Sequence, residues 1–143
     1  KNYDYILLDC PPNMLYFFYS ALFTSDFCII PILATSRDGL RGLTNVLNEI
    51  AAVQEKENPD LRFLRLLING LDKRYSVHKA ISNEISSTFS EDQIFKTIIP
   101  TNAKFGQAEY IGKTVIEHEH TGIAARAFRT LRDEILEIIP PER

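Results

Sequence analysis

The chain alternates short, almost wholly apolar runs with longer stretches in which apolar residues recur every three or four positions. The short runs are residues 5–8, 27–32, 63–69 and 94–99. Breakers or polar residues close them: Asp9 and Pro11-Pro12 after the first, Asn69-Gly70 after the third, Pro100 after the fourth. Runs of that length and character predict strands buried on both faces. Residues 14–23 are apolar and aromatic over a helical length, with Asn13 placed to cap them. Leu40, Leu43, Leu47, Ile50 and Ala51 form a helical stripe that runs out at Glu57-Asn58-Pro59-Asp60. Val77, Ile81, Ile85 and Phe89 recur every fourth residue and predict a helix over 75–89. A short helix is expected near 104–110. A last helix is expected over 124–138, capped by Thr121, with Phe128, Leu131, Ile135 and Ile138 inward and Pro140-Pro141 beyond it. Strands alternating with helices predict an α/β fold, a parallel sheet with helices on both faces.

Length and charge narrow this picture. The chain has 143 residues, the size of one domain, of which 45% are hydrophobic. Its formal net charge of −3 gives no overall basic field for nucleic acid, which leaves only a local patch to be considered. No run of 18 apolar residues is present to span a membrane, and the opening residues lack a signal-peptide pattern. Cys10 and Cys28 sit in apolar surroundings without metal-binding spacing. They read as reduced thiols of a cytoplasmic protein, with a disulfide between neighbouring strands the minor alternative. His118 and His120 form an H-x-H whose plainer reading is a solvated loop.

In parallel sheets, ligands gather at the carboxyl ends of the strands. Those ends carry Asp9, Asn69 and Pro100-Thr101-Asn102. A carboxylate at the tip of an apolar strand is the Walker B arrangement, in which the acid emerges where phosphates and a metal lie. One carboxylate commonly holds Mg²⁺ through water, because that hard cation keeps much of its hydration. From Asp9 alone, a turn or helix cap is an equal reading.

Five stretches, in order, resemble one family. These are "YDYILLDCPP", "ALFTSDFCIIPI" with "GLRGL", "LLINGLDKR", "IFKTIIPTNAKFGQAEYIGKTVIEH" and "GIAARAFRTLRDEIL". They are similar to the ParA/MinD-type, deviant Walker A, P-loop ATPases, and within these to the ParA partitioning branch. The resemblance covers nearly the whole chain. It departs in detail: Met14-Leu15 stands where the family often has a glycine, Gln107-Ala108 where it has Glu-Ala, and Thr114 where it has proline. It implies an incomplete P-loop NTPase fold of Rossmann-like type. Asp9 would be the catalytic Walker B acid holding Mg²⁺ through water. Asn69, Pro100 and Asn102 would form the adenine pocket. Pro11 and Pro12 would be a switch sensing the γ-phosphate.

The family's glycine-rich loop, K-G-G-x-G-K-[ST], occurs nowhere in the 143 residues. Residues 1–143 are therefore expected to be the C-terminal portion of a single ParA-like ATPase domain. Its first partner would be the N-terminal P-loop half of that domain. ATP and Mg²⁺ would bind the intact parent, and this chain alone would hydrolyse ATP very weakly or not at all. An open strand edge would be left where the missing half belongs. The resemblance further implies an ATP-dependent homodimer, non-specific DNA and a centromere-binding adaptor protein as partners, with no membrane. Arg126 and Arg129 are the candidate DNA contacts. Interleaved Asp133, Glu134 and Glu137 favour instead a solvated, ion-paired helix face. The alternative function is a non-catalytic ParA-like binding or regulatory module.

Overall fold

The computed structural model describes residues 3–11, 16–35 and 38–141. Three parallel strands lie in the order β1 (Phe27–Leu33), β2 (Arg62–Leu71), β3 (Ile99–Pro100). The helices are α1 (Tyr16–Thr24), α2 (Asp38–Lys56), α3 (Ser76–Thr88), α4 (Ala103–Tyr110), α5 (Val115–His118) and α6 (Ile123–Ile138). The α/β reading of the sequence is the fold observed.

Side-chain alternation along the central strand divides the core. Leu66 and Ile68 of β2, with Ile32 of β1, face Leu43 of α2 and Ile81 and Ile85 of α3. Leu64 and Leu67, with Ile29, face Leu131, Ile135 and Ile138 of α6 and enclose Phe95. On the first of these faces, α1 packs Leu22 against Ile50 and Val53 of α2 and against Leu61. The Tyr19 hydroxyl donates to Glu49 Oε2 at 2.8 Å and bolts the two helices together. Asn58 Nδ2 closes the end of α1 by donating to the carbonyls of Leu22 and Ser25, both at 2.9 Å.

β1 is an edge strand. Asp26 O accepts from Arg62 N and Ala34 N donates to Asn69 O, so even-numbered backbone groups of β1 turn toward β2 and odd-numbered ones turn outward. Pro31 is odd-numbered, and its missing N–H falls on the open side, where no ladder bond is lost.

The structure revises several expectations. Residues 5–8 are not a buried strand: Ile6 is 82% and Leu7 91% exposed. An apolar run becomes a strand only where a neighbour takes its backbone bonds and layers cover its faces; none of the described residues does so here. Of the fourth run only Ile99 is regular strand, continuing into Pro100, and one bridge between Leu66 and Ile94 precedes it. Gly122, not Thr121, takes the N-cap position of α6. Val77 is exposed, and His78 is buried in its place on α3. Phe128 is 40% exposed, with its ring edge-on to Phe105. Both cysteines are free, and Cys10 is exposed. Burial pushes the Cys28 thiol up to about 11, so that sulfur stays protonated and inert. Asn13 and Met14-Leu15 lie outside the described residues.

Candidate nucleotide-binding edge

Three chain segments meet at the carboxyl end of the sheet. β2 ends in Asn69-Gly70-Leu71, and β3 runs into Thr101 and Asn102. Pairing of Asn69 with Ile99 and of Leu71 with Pro100 sets these two ends side by side. Thr101 ties them further: its N–H donates to Leu71 O at 3.0 Å and its hydroxyl to Gly70 O at 2.7 Å. Gly70 takes a φ of +69°, and a Cβ there would come within 3.5 Å of Leu33 and 3.8 Å of Thr35. The left-handed conformation makes the bulge that brings Leu71 back into register, and glycine adopts it without strain.

Among the candidate residues, Asn69, Pro100 and Asn102 are brought together here, each half-buried. The Asn69 carbonyl is used by Ala34 N, while its side-chain amide has no hydrogen bond among the described residues. That amide presents a donor pair and an acceptor at the strand ends, the complement of a purine edge. Asn102 has a structural duty: Oδ1 accepts from Lys104 N at 2.8 Å and caps α4.

Asp9 and Pro11 lie on the exposed segment 3–11, and Pro12 lies outside the described residues. Asp9 forms no hydrogen bond or ion pair among the described residues, so its lone pairs are free for a hard cation or that cation's waters. The segment is pinned at one point, where the Tyr5 hydroxyl donates to Ile139 O at 2.6 Å. Helix α6 runs from Arg126, beside Pro100 and Thr101, down to Glu134, beside Arg65 near the start of β2. Ile139 therefore stands at the amino end of the strands, and the pinned segment starts there. No described group of three or more His, Cys, Asp or Glu side chains is positioned to hold a metal.

A cleft beside the strand ends was not visible in the sequence. Lys73, Arg74, Lys96 and Arg126 rim it, with Leu71 and Pro100 in its wall. Arg74 grips Asp72 through Nε at 3.0 Å and Nη2 at 2.7 Å. This guanidinium bond, with the Arg74 N–H, holds the Asp72 carboxyl down at about 2. Asp72 N also donates to His78 Nδ1 at 3.0 Å, which fixes the turn after β2. The sequence cue was Lys73-Arg74 within that turn. Arg126 and Arg129 reach back to the loop before α6, donating to Thr121 O and His120 O. Arg126 keeps its place on the cleft rim, whereas Arg129 is half-buried.

Comparison with known proteins finds relatives that match nearly the whole chain. A family profile described as "AAA domain" matches residues 1–63. The sporulation initiation inhibitor protein Soj of Bacillus subtilis is 33% identical over 135 residues, covering 94% of this chain and 53% of Soj. The chromosome-partitioning ATPase Soj of Thermus thermophilus is 31% identical over 138 residues, covering 95% of this chain and 54% of that protein. Along nearly its whole length the chain matches part of the ParA/MinD-type P-loop ATPases. It spans about half the length of the curated relatives it matches. Cobyrinic acid a,c-diamide synthase from Mycobacterium smegmatis superposes with a TM-score of 0.71 at 22% identity, over 94% of this chain and 51% of that enzyme. At that identity the likeness speaks to the fold alone: a parallel α/β sheet of Rossmann-like type. The same synthase has been solved with bound ADP and magnesium. No described helix is long and apolar enough to cross a membrane.

Proposed function

We propose that this chain supplies the adenine-facing side and the metal-organising acid of a ParA-type ATPase used in plasmid or chromosome partitioning. The observation that carries the reading is the convergence of Asn69, Pro100 and Asn102 at the strand ends, with the Asn69 amide unengaged among the described residues. Asn69 bonds the edge of the base, and the Asn102 backbone and Pro100 shape the pocket around it. Asp9 is the acid. It lies four residues beyond the Tyr5 anchor at the amino end of the sheet, a reach of roughly 13 Å when extended. Pro11 and Pro12 follow directly and respond to what the acid holds. Mg²⁺ bound there would supply charge stabilisation to phosphoryl transfer. The phosphate clamp comes from a glycine-rich loop outside these 143 residues, so the chain alone does not turn over ATP.

The remaining partners follow from the same reading. An ATP-dependent pair of subunits and a centromere-binding adaptor belong to the whole protein. DNA phosphates would meet the cleft rimmed by Lys73, Arg74, Lys96 and Arg126, a sharper candidate than the exposed face of α6. Arg129 would act there only by holding the loop before α6.

The test is nucleotide binding by the whole polypeptide that contains this sequence, with Mg²⁺ present. Asn69→Ala should weaken ATP about tenfold and leave inorganic triphosphate, which has no base, unchanged. Equal loss for both ligands, or none for either, would remove Asn69 from the base site.

A further inference from the structure

The chain between Ile94 and Ile99 does not follow β2 residue for residue. From the Leu66–Ile94 bridge to the Asn69–Ile99 pair, β2 advances three residues and its partner five. A two-residue excess of this kind leaves backbone N–H groups without ladder partners, and Thr97 is buried, so its N–H needs another acceptor. Glu134 of α6 provides it. Its Oε1 accepts from Lys96 N at 2.8 Å and its Oε2 from Thr97 N at 2.9 Å. Arg65 Nη1 completes the set at 3.0 Å from Oε1, with its guanidinium 5.9 Å from the centre of the Phe95 ring. The Glu134 side chain is 10% exposed and that of Arg65 19%. One carboxylate thus joins β2, the bulge and α6.

We propose that Glu134 is a positioning residue for the base-binding edge: by holding the bulge at Lys96-Thr97 it sets the register in which Pro100, Thr101 and Asn102 reach the strand ends. The inference rests on the base-site reading for its function, but its geometry stands without it. A ladder running straight on from Ile94 would bring a different residue opposite Asn69. The hydroxyl of Thr101 would then not meet Gly70 O. Charge-assisted hydrogen bonds from N–H to a carboxylate only 10% exposed are strong enough to decide between two such registers.

Amide hydrogen exchange on the whole polypeptide tests the geometry, and nucleotide selectivity tests its consequence. In the wild type the Lys96 and Thr97 amides are protected. Glu134→Ala should speed their exchange and that of Thr101 about tenfold or more relative to the Ile81 and Ile85 amides. Glu134→Gln keeps the shape and one acceptor oxygen, and should fall between the two. In the same variants the preference for ATP over GTP should shrink, with affinity for inorganic triphosphate unchanged. Ile85→Val is the control, loosening the core without touching the bulge. Unchanged Thr101 exchange in both Glu134 variants would overturn the proposal, as would equal loss of ATP selectivity in Ile85→Val. Wild-type protein with protected Lys96 and Thr97 amides but no preference for ATP would contradict the base-site reading and leave Glu134 as the holder of the register.

Discussion

At the scale of the residue, a few side chains hold the strand ends in shape. Gly70 carries the left-handed turn that lets β2 meet both neighbours. Gly70→Ala should destabilise the protein by about 1–2 kcal/mol through backbone strain, since the added methyl meets only ordinary contacts. Thermal unfolding of the two forms measures it. Asp72 makes the same edge pH-sensitive. Its folded carboxyl titrates near 2 against an ordinary 3.8, chiefly because Arg74 bonds the charged form. The contribution is therefore present above pH 3.8 and fades as pH falls through 2. Urea unfolding followed from pH 5 downward should show this loss in the wild type and a flatter profile in Asp72→Asn. Arg74 is 85% exposed, so added salt should shrink the difference.

At the scale of the element, the sequence was legible where a segment makes its own case. The stripe of α2 and the apolar run of β2 name their elements because each buries a face with the periodicity of its own geometry. Asn69, Pro100 and Asn102 could be placed together for the same reason: strand ends in a parallel sheet converge. Illegible features depend on distant partners. Nothing near Lys96 shows that its N–H will bond a carboxylate 38 residues away, so the fourth strand looked longer than it is. The Thr114–Glu117 capping box that starts α5 was a local cue left unread. Residues 5–8 have the composition of a strand and lack what a strand needs around it. Their amides should exchange freely in this chain and gain protection once a neighbouring strand is supplied, which hydrogen exchange on both samples would show.

At the scale of the molecule, the fold has one finished side and one unfinished side. α3 and α6 cover β2 and the chain beside it, whereas β1 turns half of its backbone groups outward and the segment bearing Asp9 stands uncovered. Because α1 and α2 share a face, a right-handed crossover would place residues 5–8 on the open side of β1 once they form a parallel strand. Apolar surface and free backbone on the same side fit the proposed docking of a further half-domain, and the relatives are about twice as long. The residues proposed to face the base lie on the finished part and the proposed metal acid on the unfinished part, so the proposed function requires both halves for catalysis. Mg²⁺-dependent ATP turnover by the 143-residue chain, alone and after addition of a segment bearing K-G-G-x-G-K-[ST], tests that claim most directly. The account predicts no turnover by the chain alone and its appearance with the added segment, abolished by Asp9→Ala. Turnover by the chain alone at the rate of an intact relative would contradict it.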